Sequence, residues 1–305
     1  MKISIVTPFF NESEGISFYF ERLVPILNNL GYEYEIVCID DGSEDETFEM
    51  LVSYKIKFPQ MKCVRLSRNF GKEAALTCGL NYADGDVVVP MDCDLQDPPE
   101  LLETMIEEWK KGFMVVNAKR SDRDEGFMKS VSARIFYKLI NKLSDSNIPE
   151  NVGDFRLMDK RVVQAVNQLK EKTRFMKGIL SWPGFKTTSI TYSRPSRIHG
   201  KPKQNYLKLF ALAFDGIVSF SDMPLKVIVG TGFTITFFSF LYLIFIVLRP
   251  FFMEIDVAGY SSTIAIILFL GGMNMLSIGV VGIFISKIFN ESKNRPIYLV
   301  ENEVI

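Results

Sequence analysis

The stretch "VVVPMDCDLQDPPE", Val87 to Glu100, decides the fold. An apolar run of the kind that forms a buried strand stops at Met91, and acids follow that a hydrophobic core would exclude. Asp92 and Asp94 therefore stand at the mouth of a strand.

Upstream, "KISIVTPFF" and "YEIVCIDDGS" are also near-continuous apolar runs that end in polar residues, with a helical pattern from Ile16 to Leu30 between them. That alternation predicts an α/β fold with a mostly parallel sheet covered by helices. "SEDE", Ser43 to Glu46, has capping-box spacing, so Ser43 is expected to cap a helix while Glu46 reaches back. Ligands of such sheets sit beyond the carboxyl ends of the strands. Acids gather at those ends: Glu12 after the first strand, with Asn11 beside it, Asp40 and Asp41 after the second, and Asp92 and Asp94 after "DVVVPM".

Residues two apart in extended chain project to one side, so Asp92 and Asp94 can present their carboxylates together. Adjacent carboxylates repel unless a cation lies between them. A hard divalent ion, Mg²⁺ or Mn²⁺, shared with substrate phosphates meets that need. Asp-x-Asp alone is weak evidence, because turns and solvated loops account for most instances.

The chain has 305 residues and a formal net charge of −1, so no global basic field points to nucleic acid. Its four cysteines, Cys38, Cys63, Cys78 and Cys93, form no Cys-x-x-Cys pair, against a zinc site or a stapled secreted scaffold. They are expected to be reduced thiols facing the cytoplasm, and no removable signal peptide is evident at the N-terminus. The last third differs in kind: Val227–Leu248 and Tyr260–Ser286 carry no charge, and each exceeds the roughly 20 residues that span a bilayer. Lys201, Lys203, Lys208 and Lys226 precede the first run, and Lys287, Lys293 and Arg295 follow the second. The loop between holds Arg249 against Glu254 and Asp256, so the positive-inside rule places both ends in the cytoplasm. Gly271, Gly272 and Gly279 permit close helix contact within the chain or between copies.

"VTPFFNE" (6–12), "DDGSEDET" (40–47), "LSRNFGKEAALTCGLNYADGD" (66–86) and "MDCDLQDPPE" (91–100) together resemble family 2 glycosyltransferases of the GT-A fold. More narrowly they resemble the polyprenyl-phosphate sugar transferases, which include dolichyl-phosphate mannose synthase. "GDFRLMD" (153–159), "RFMKGILSWPGF" (174–185) and "DGIVSFSDMPLK" (215–226), followed by two apolar runs, are most similar to the bactoprenol glucosyltransferase branch.

The resemblance implies residue roles. Pro8, Phe10 and Glu12 with Asp40 and Asp41 match positions that hold the base and ribose of the nucleotide, and Asp92, Cys93 and Asp94 lie against the donor diphosphate. Asp92 and Asp94, with Gln96 as a further oxygen ligand, match the metal motif, and Cys93 stands where the family often has alanine. Asp154 matches the family's catalytic base and joins Asp94 as a catalytic residue. A lipid monophosphate acceptor has a second pKa near 6 and is largely doubly ionised at neutral pH. Asp154 is therefore expected to take its remaining proton or to orient it. Arg120 and Arg134, then Arg197 and Lys203, are the expected lipid-phosphate contacts, with Pro202 replacing the family's hydroxyl residue.

Amphipathic patterns at 129–142 and 206–220 suit either helices lying in the headgroup layer or ordinary packing against the sheet, the packing reading favoured for the first and the headgroup reading for the second. The resulting layout is a cytoplasmic GT-A domain (1–204), a juxtamembrane amphipathic helix (205–223), transmembrane helices at 224–249 and 261–289 around a short outward loop (250–260), and a cytoplasmic tail (290–305). The implied reaction is inverting transfer of glucose from UDP-glucose to undecaprenyl phosphate at the cytoplasmic face of a bacterial inner membrane, for later cell-envelope glycan or O-antigen modification. GDP-mannose or an aminoarabinose nucleotide stays open as donor. A non-catalytic scaffold for a lipid flippase, a flippase as partner and a homo-oligomer through the apolar helices stay open too. A processive polysaccharide synthase would carry Gln-x-x-Arg-Trp, and neither Trp109 nor Trp182 sits in one.

Overall fold

A computed structural model describes residues 1–121, 152–172, 174, 176–192, 223–248 and 259–305. The amphipathic segment 129–142 with Arg134, the basic Arg197 and Lys203, the juxtamembrane segment before Met223 and the loop up to Ala258 lie outside the described residues. The chain divides into two compact units, residues 1–210 with 295–305 and residues 211–294.

The first unit is an α/β domain. β1 (Lys2–Phe9), β2 (Glu33–Asp40), β3 (Met61–Leu66), β4 (Val87–Pro90), β5 (Val115–Arg120), β6 (Val152–Asp159), β7 (Thr187–Tyr192) and β8 (Val300–Val304) form one sheet in the order β7-β5-β6-β4-β1-β2-β3-β8. The central block β3-β2-β1-β4 is parallel, as its unbroken apolar runs require. β6 runs antiparallel between β4 and β5, and β7 lies parallel to β5.

Helices cover the central strands: α1 (Ile16–Asn29), α2 (Thr47–Lys57), α3 (Lys72–Tyr82), α4 (Leu102–Lys110), α5 (Lys160–Gln168) and the short α6 (Met176–Ile179). Tyr19, Phe20, Leu23 and Leu27 of α1 recur at helical spacing and pack into the core with Ile3, Ile5 and Phe9 of β1. α3 approaches β1 so closely that a Cβ on Gly79 would fall 2.2 Å from Val6 Cγ1. Order 3-2-1-4 means that the chain, having built outward from β1 to β3, returns to the other side of β1 to lay down β4. That switch point opens a crevice beyond the carboxyl ends of β1 and β4.

Two sequence expectations change here. Ser43 and Glu46 do not form a capping box: α2 begins at Thr47 without a side-chain cap from its N-cap residue Glu46. The Ser43 hydroxyl instead accepts the Asn11 N–H at 2.9 Å, while Asp45 accepts the Thr47 N–H at 3.1 Å. Bonding between loops outcompetes the local cap. The tail, expected as a separate cytoplasmic segment, supplies β8, which pairs antiparallel with β3. The Ser67 N–H donates to the Leu299 carbonyl, Asn81 donates to the Tyr298 hydroxyl and Arg65 lies 3.5 Å from Glu301.

The second unit contains α7 (Met223–Leu248) and α8 (Tyr260–Ser292). Their large apolar side chains, among them Phe233, Phe238, Met275 and Leu276, are exposed. Among the described residues, one stretch, Phe269–Ser292 of α8, is long and apolar enough to cross a membrane, and the apolar stretch of α7, Val227–Tyr242, is shorter.

Candidate functional site at the strand carboxyl ends

The site assembles where β1, β2 and β4 end. Val87 pairs with Asp159 and Val88 with Met158. Antiparallel to β4, β6 returns its acid, Asp154, to the rim where β4 delivers the first of the pair. The Lys72 ammonium closes the arrangement, 2.6 Å from an Asp92 oxygen and 2.8 Å from an Asp154 oxygen.

Lys72 is the site residue that sequence reading missed. It opens α3, where a cation faces the positive end of the helix dipole, an unfavourable placement worth roughly 0.3–1 kcal/mol. A local rule broken without local gain marks a functional position, and that signal is present in "FGKEAAL". Burial works against its charge, but Asp92 and Asp154 outweigh burial and raise its pKa. Asp92 is held above the ordinary carboxylate range by burial, opposed by Lys72 and reinforced by Asp154 and Asp94.

Asp94 is exposed, and one of its oxygens accepts the Gln96 N–H at 3.2 Å in a turn where Leu95 takes φ 48°. Gln96 is buried behind it. Among the described residues no three His, Cys, Asp or Glu side chains form a metal cluster. The acids present therefore suit a cation whose remaining ligands come from the phosphates of a bound substrate. Cys93 lies half-buried between the two, its thiol pushed up by burial and by Glu12, Asp92 and Asp94.

The expected nucleotide residues divide into two groups. Pro8 is the penultimate residue of β1, Phe10 is 42% exposed at the crevice mouth, and Glu12 is exposed, with its N–H donated to Thr47 Oγ1 at 3.0 Å. Asp40 and Asp41 face inward instead. Asp40 is fully buried, accepting the Ser43 N–H and lying 3.4 Å from Arg65 Nε. Asp41 accepts the Phe70 and Gly71 N–H groups at 2.8 and 2.9 Å and so anchors the loop that begins α3. Burial raises both carboxyl pKa values, against these donors. In this structure the two acids brace loops, and Gly42 lets those loops meet: at φ +67°, a Cβ there would lie 2.3 Å from the Arg68 backbone.

Arg120, an expected lipid-phosphate contact, stands at the end of β5, 3.5 Å from Asp97 and 3.3 Å from the Tyr192 hydroxyl. Beneath Asp154 on the same face of β6 lies Arg156, 2% exposed, whose Nη2 donates to the Gly153 carbonyl at 2.8 Å. Burial lowers its pKa to about 10, with Asp154 opposing.

Residues 4–166 match the family model "Glycosyl transferase family 2". The chain is 45% identical over 304 residues to the bactoprenol glucosyl transferase of Shigella phage SfV, covering 99% of both chains. It is 44% identical over 302 residues to the prophage bactoprenol glucosyl transferase homolog of Escherichia coli K12, again covering 99% of both. An uncharacterized glycosyltransferase of Synechocystis is 44% identical over 303 residues, covering 99% of this chain and 95% of that one. Among solved structures, glucosyl-3-phosphoglycerate synthase of Mycobacterium tuberculosis superposes with a TM-score of 0.48 at 19% identity, covering 71% of this chain and 78% of that one. The α/β domain with acids at its strand ends is that of a sugar-transferring enzyme, and the chain belongs to glycosyltransferase family 2.

Proposed function

We propose that the protein transfers glucose from UDP-glucose to undecaprenyl phosphate at the cytoplasmic face of a bacterial inner membrane. The observation that carries the reading is the convergence of Asp92, Asp94 and Asp154 at the sheet's switch point, in a chain similar along its full length to bactoprenol glucosyl transferases.

In this reading an oxygen of the lipid phosphate forms a bond to the anomeric carbon as the bond to the diphosphate oxygen breaks. The nucleoside diphosphate leaves with the electron pair, and the configuration inverts. Asp92 and Asp94, with Gln96 nearby, would hold a divalent ion, Mg²⁺ or Mn²⁺, which would supply positive charge to offset that of the departing diphosphate. Phe10 and Glu12 line the base and ribose end, and the loops braced by Asp40 and Asp41 shape it. The acceptor arrives as a dianion, so Asp154, already paired with Lys72, orients the site rather than removing a proton.

α7 and α8 act as two membrane spans. The chain leaves the α/β unit for the helical unit and returns to it as β8, so a membrane crossed between must be crossed an even number of times. That supports both ends facing the cytoplasm, as the Lys and Arg flanks predict.

The test is transfer of labelled sugar to lipid in membranes, with a panel of nucleotide sugars and one undecaprenyl phosphate. UDP-glucose should give a lipid-linked product in the wild type, and Asp94→Asn should abolish it while leaving membrane insertion unchanged. Normal turnover in that variant would overturn the assignment of the paired acids.

A further inference from the structure

β6 does not run straight to the rim. It pairs with β5 as Val115 with Met158, Val116 with Leu157 and Asn117 with Arg156, and the register then shifts, the next pair being Lys119 with Val152. Between those last two pairs β5 supplies Ala118, whereas β6 supplies Gly153, Asp154 and Phe155. The additional residues make a β-bulge on β6, and bulges beside active sites re-aim side chains. On the other edge of β6, the register with β4 covers Val87 and Val88 and does not reach the bulge. Asp154 thus stands at the centre of a segment to which the sheet register gives no opposite residue.

A bulge releases backbone groups from the ladder, and Arg156 takes up one of them. Its Nη2 donates to the Gly153 carbonyl at 2.8 Å, closing the chain from 153 to 156 into a loop around Asp154. Arg156 is buried, and among the described residues its Nε has no hydrogen-bond partner. Asn117, directly opposite in the register, is buried too, and its Oδ1 also lacks a partner. A guanidinium placed for stability would direct its five donors into the fold. Burying this one costs more than a single carbonyl bond offsets. Burial pulls the Arg156 pKa down to about 10 and the charge of Asp154 opposes that fall, so the guanidinium stays ionised at neutral pH. Asp154 therefore has two cations about it: Arg156 in the sheet and the Lys72 ammonium at the rim, 2.8 Å away.

We propose that Arg156 is a positioning residue: by holding the β6 bulge closed on the Gly153 carbonyl, it aims the Asp154 carboxylate at the rim where the sugar is transferred. The proposal rests on the transfer reading given above. Without the closure, three consecutive residues lacking a ladder partner could turn Asp154 away from Lys72 and Asp92. A displacement of about an ångström is enough to cost roughly a hundredfold in rate.

The test uses the full-length protein in detergent with UDP-glucose, Mn²⁺ and undecaprenyl phosphate. Arg156→Met, long but uncharged, should lower kcat about a hundredfold. Calorimetric affinity for UDP-glucose should change less than about threefold, since the loss falls on the reacting geometry and not on donor binding. Arg156→Lys keeps the charge and one donor for the Gly153 carbonyl, and should recover kcat to within about tenfold of wild type. Hydrogen exchange at the amides of 153–156, read by mass spectrometry, should quicken in Arg156→Met and slow again in Arg156→Lys. Arg156→Gln, shorter and uncharged but still polar, takes the place of the methionine variant if that variant does not fold. A merely structural role would lower the melting temperature while the folded enzyme kept wild-type kcat and wild-type exchange at 153–156, and that result would overturn the proposal. So would a lysine variant no better than the neutral one. A wild type that glycosylates no lipid phosphate from any nucleotide sugar would refute the underlying reading, and the proposal with it.

Discussion

Replacing Lys72 by methionine, similar in length but uncharged, should tighten binding of a divalent cation in the absence of donor. The Lys72 ammonium holds one oxygen each of Asp92 and Asp154 at 2.6 and 2.8 Å, so a cation that uses Asp92 must displace it. Hydrogen bonds to charged groups contribute about 1.5–3 kcal/mol when shielded. Exposed ion pairs contribute only about 0.2–1 kcal/mol. With 44% of the Lys72 side chain exposed, the intermediate figure of roughly 1–2 kcal/mol applies to the competition. That is roughly 5–30-fold in the dissociation constant. Electron paramagnetic resonance of free Mn²⁺, titrated into wild type and Lys72→Met without nucleotide sugar, measures the ratio directly. Transfer should fall in the same variant, because Asp92 and Asp154 lose the charge that holds them together. Unchanged or weaker Mn²⁺ binding in Lys72→Met would refute the reasoning.

Other outcomes follow from the fold. Glu35 is buried beneath the opposite end of the sheet; burial opposes its ionisation, but Lys2, Ser4, the Asp84 amide and Lys62 outweigh it, so its pKa lies below the ordinary value. Such a group stabilises the fold above an unfolded value near ~4.3 and loses that contribution as pH falls through the folded value. Glu35→Gln should thus lower the melting temperature at pH 7 and shrink the difference from wild type at acid pH, read by thermal denaturation across pH. Deleting residues 298–305 removes β8 and bares the β3 edge, and should increase concentration-dependent association measured by light scattering.

Much of this architecture was legible in the sequence because its parallel strands are continuous apolar runs. β1, β2 and β4 end within a residue or two of the polar groups that mark their limits, and α1 follows its own apolar spacing. The convergence of Asp92, Asp94 and Asp154 was legible through motif order. Its geometry was not, since the approach of Asp92 and Asp154 to one lysine, Lys72, depends on β6 running antiparallel to β4. β8 was missed because "VENEV" has valines only at its two ends, around Glu-Asn-Glu, on a largely exposed edge, and buries too little to show a strand signal. Asp40 and Asp41 carry the right chemistry for a ribose, but which way a strand-end carboxylate turns is set by the amides of Ser43, Phe70 and Gly71. Two of those three lie some thirty residues away, beyond the reach of local pattern.

The central claim is that the acids at the rim and the phosphates of the donor share one cation. Anomalous scattering from crystals of the full-length protein grown with Mn²⁺ and UDP-glucose tests it most directly. A single Mn²⁺ peak about 2.0–2.3 Å from Asp94 carboxylate oxygen and from both phosphates is the predicted result. Donor diphosphate bound away from Asp92 and Asp94, with no ion between them, would contradict it.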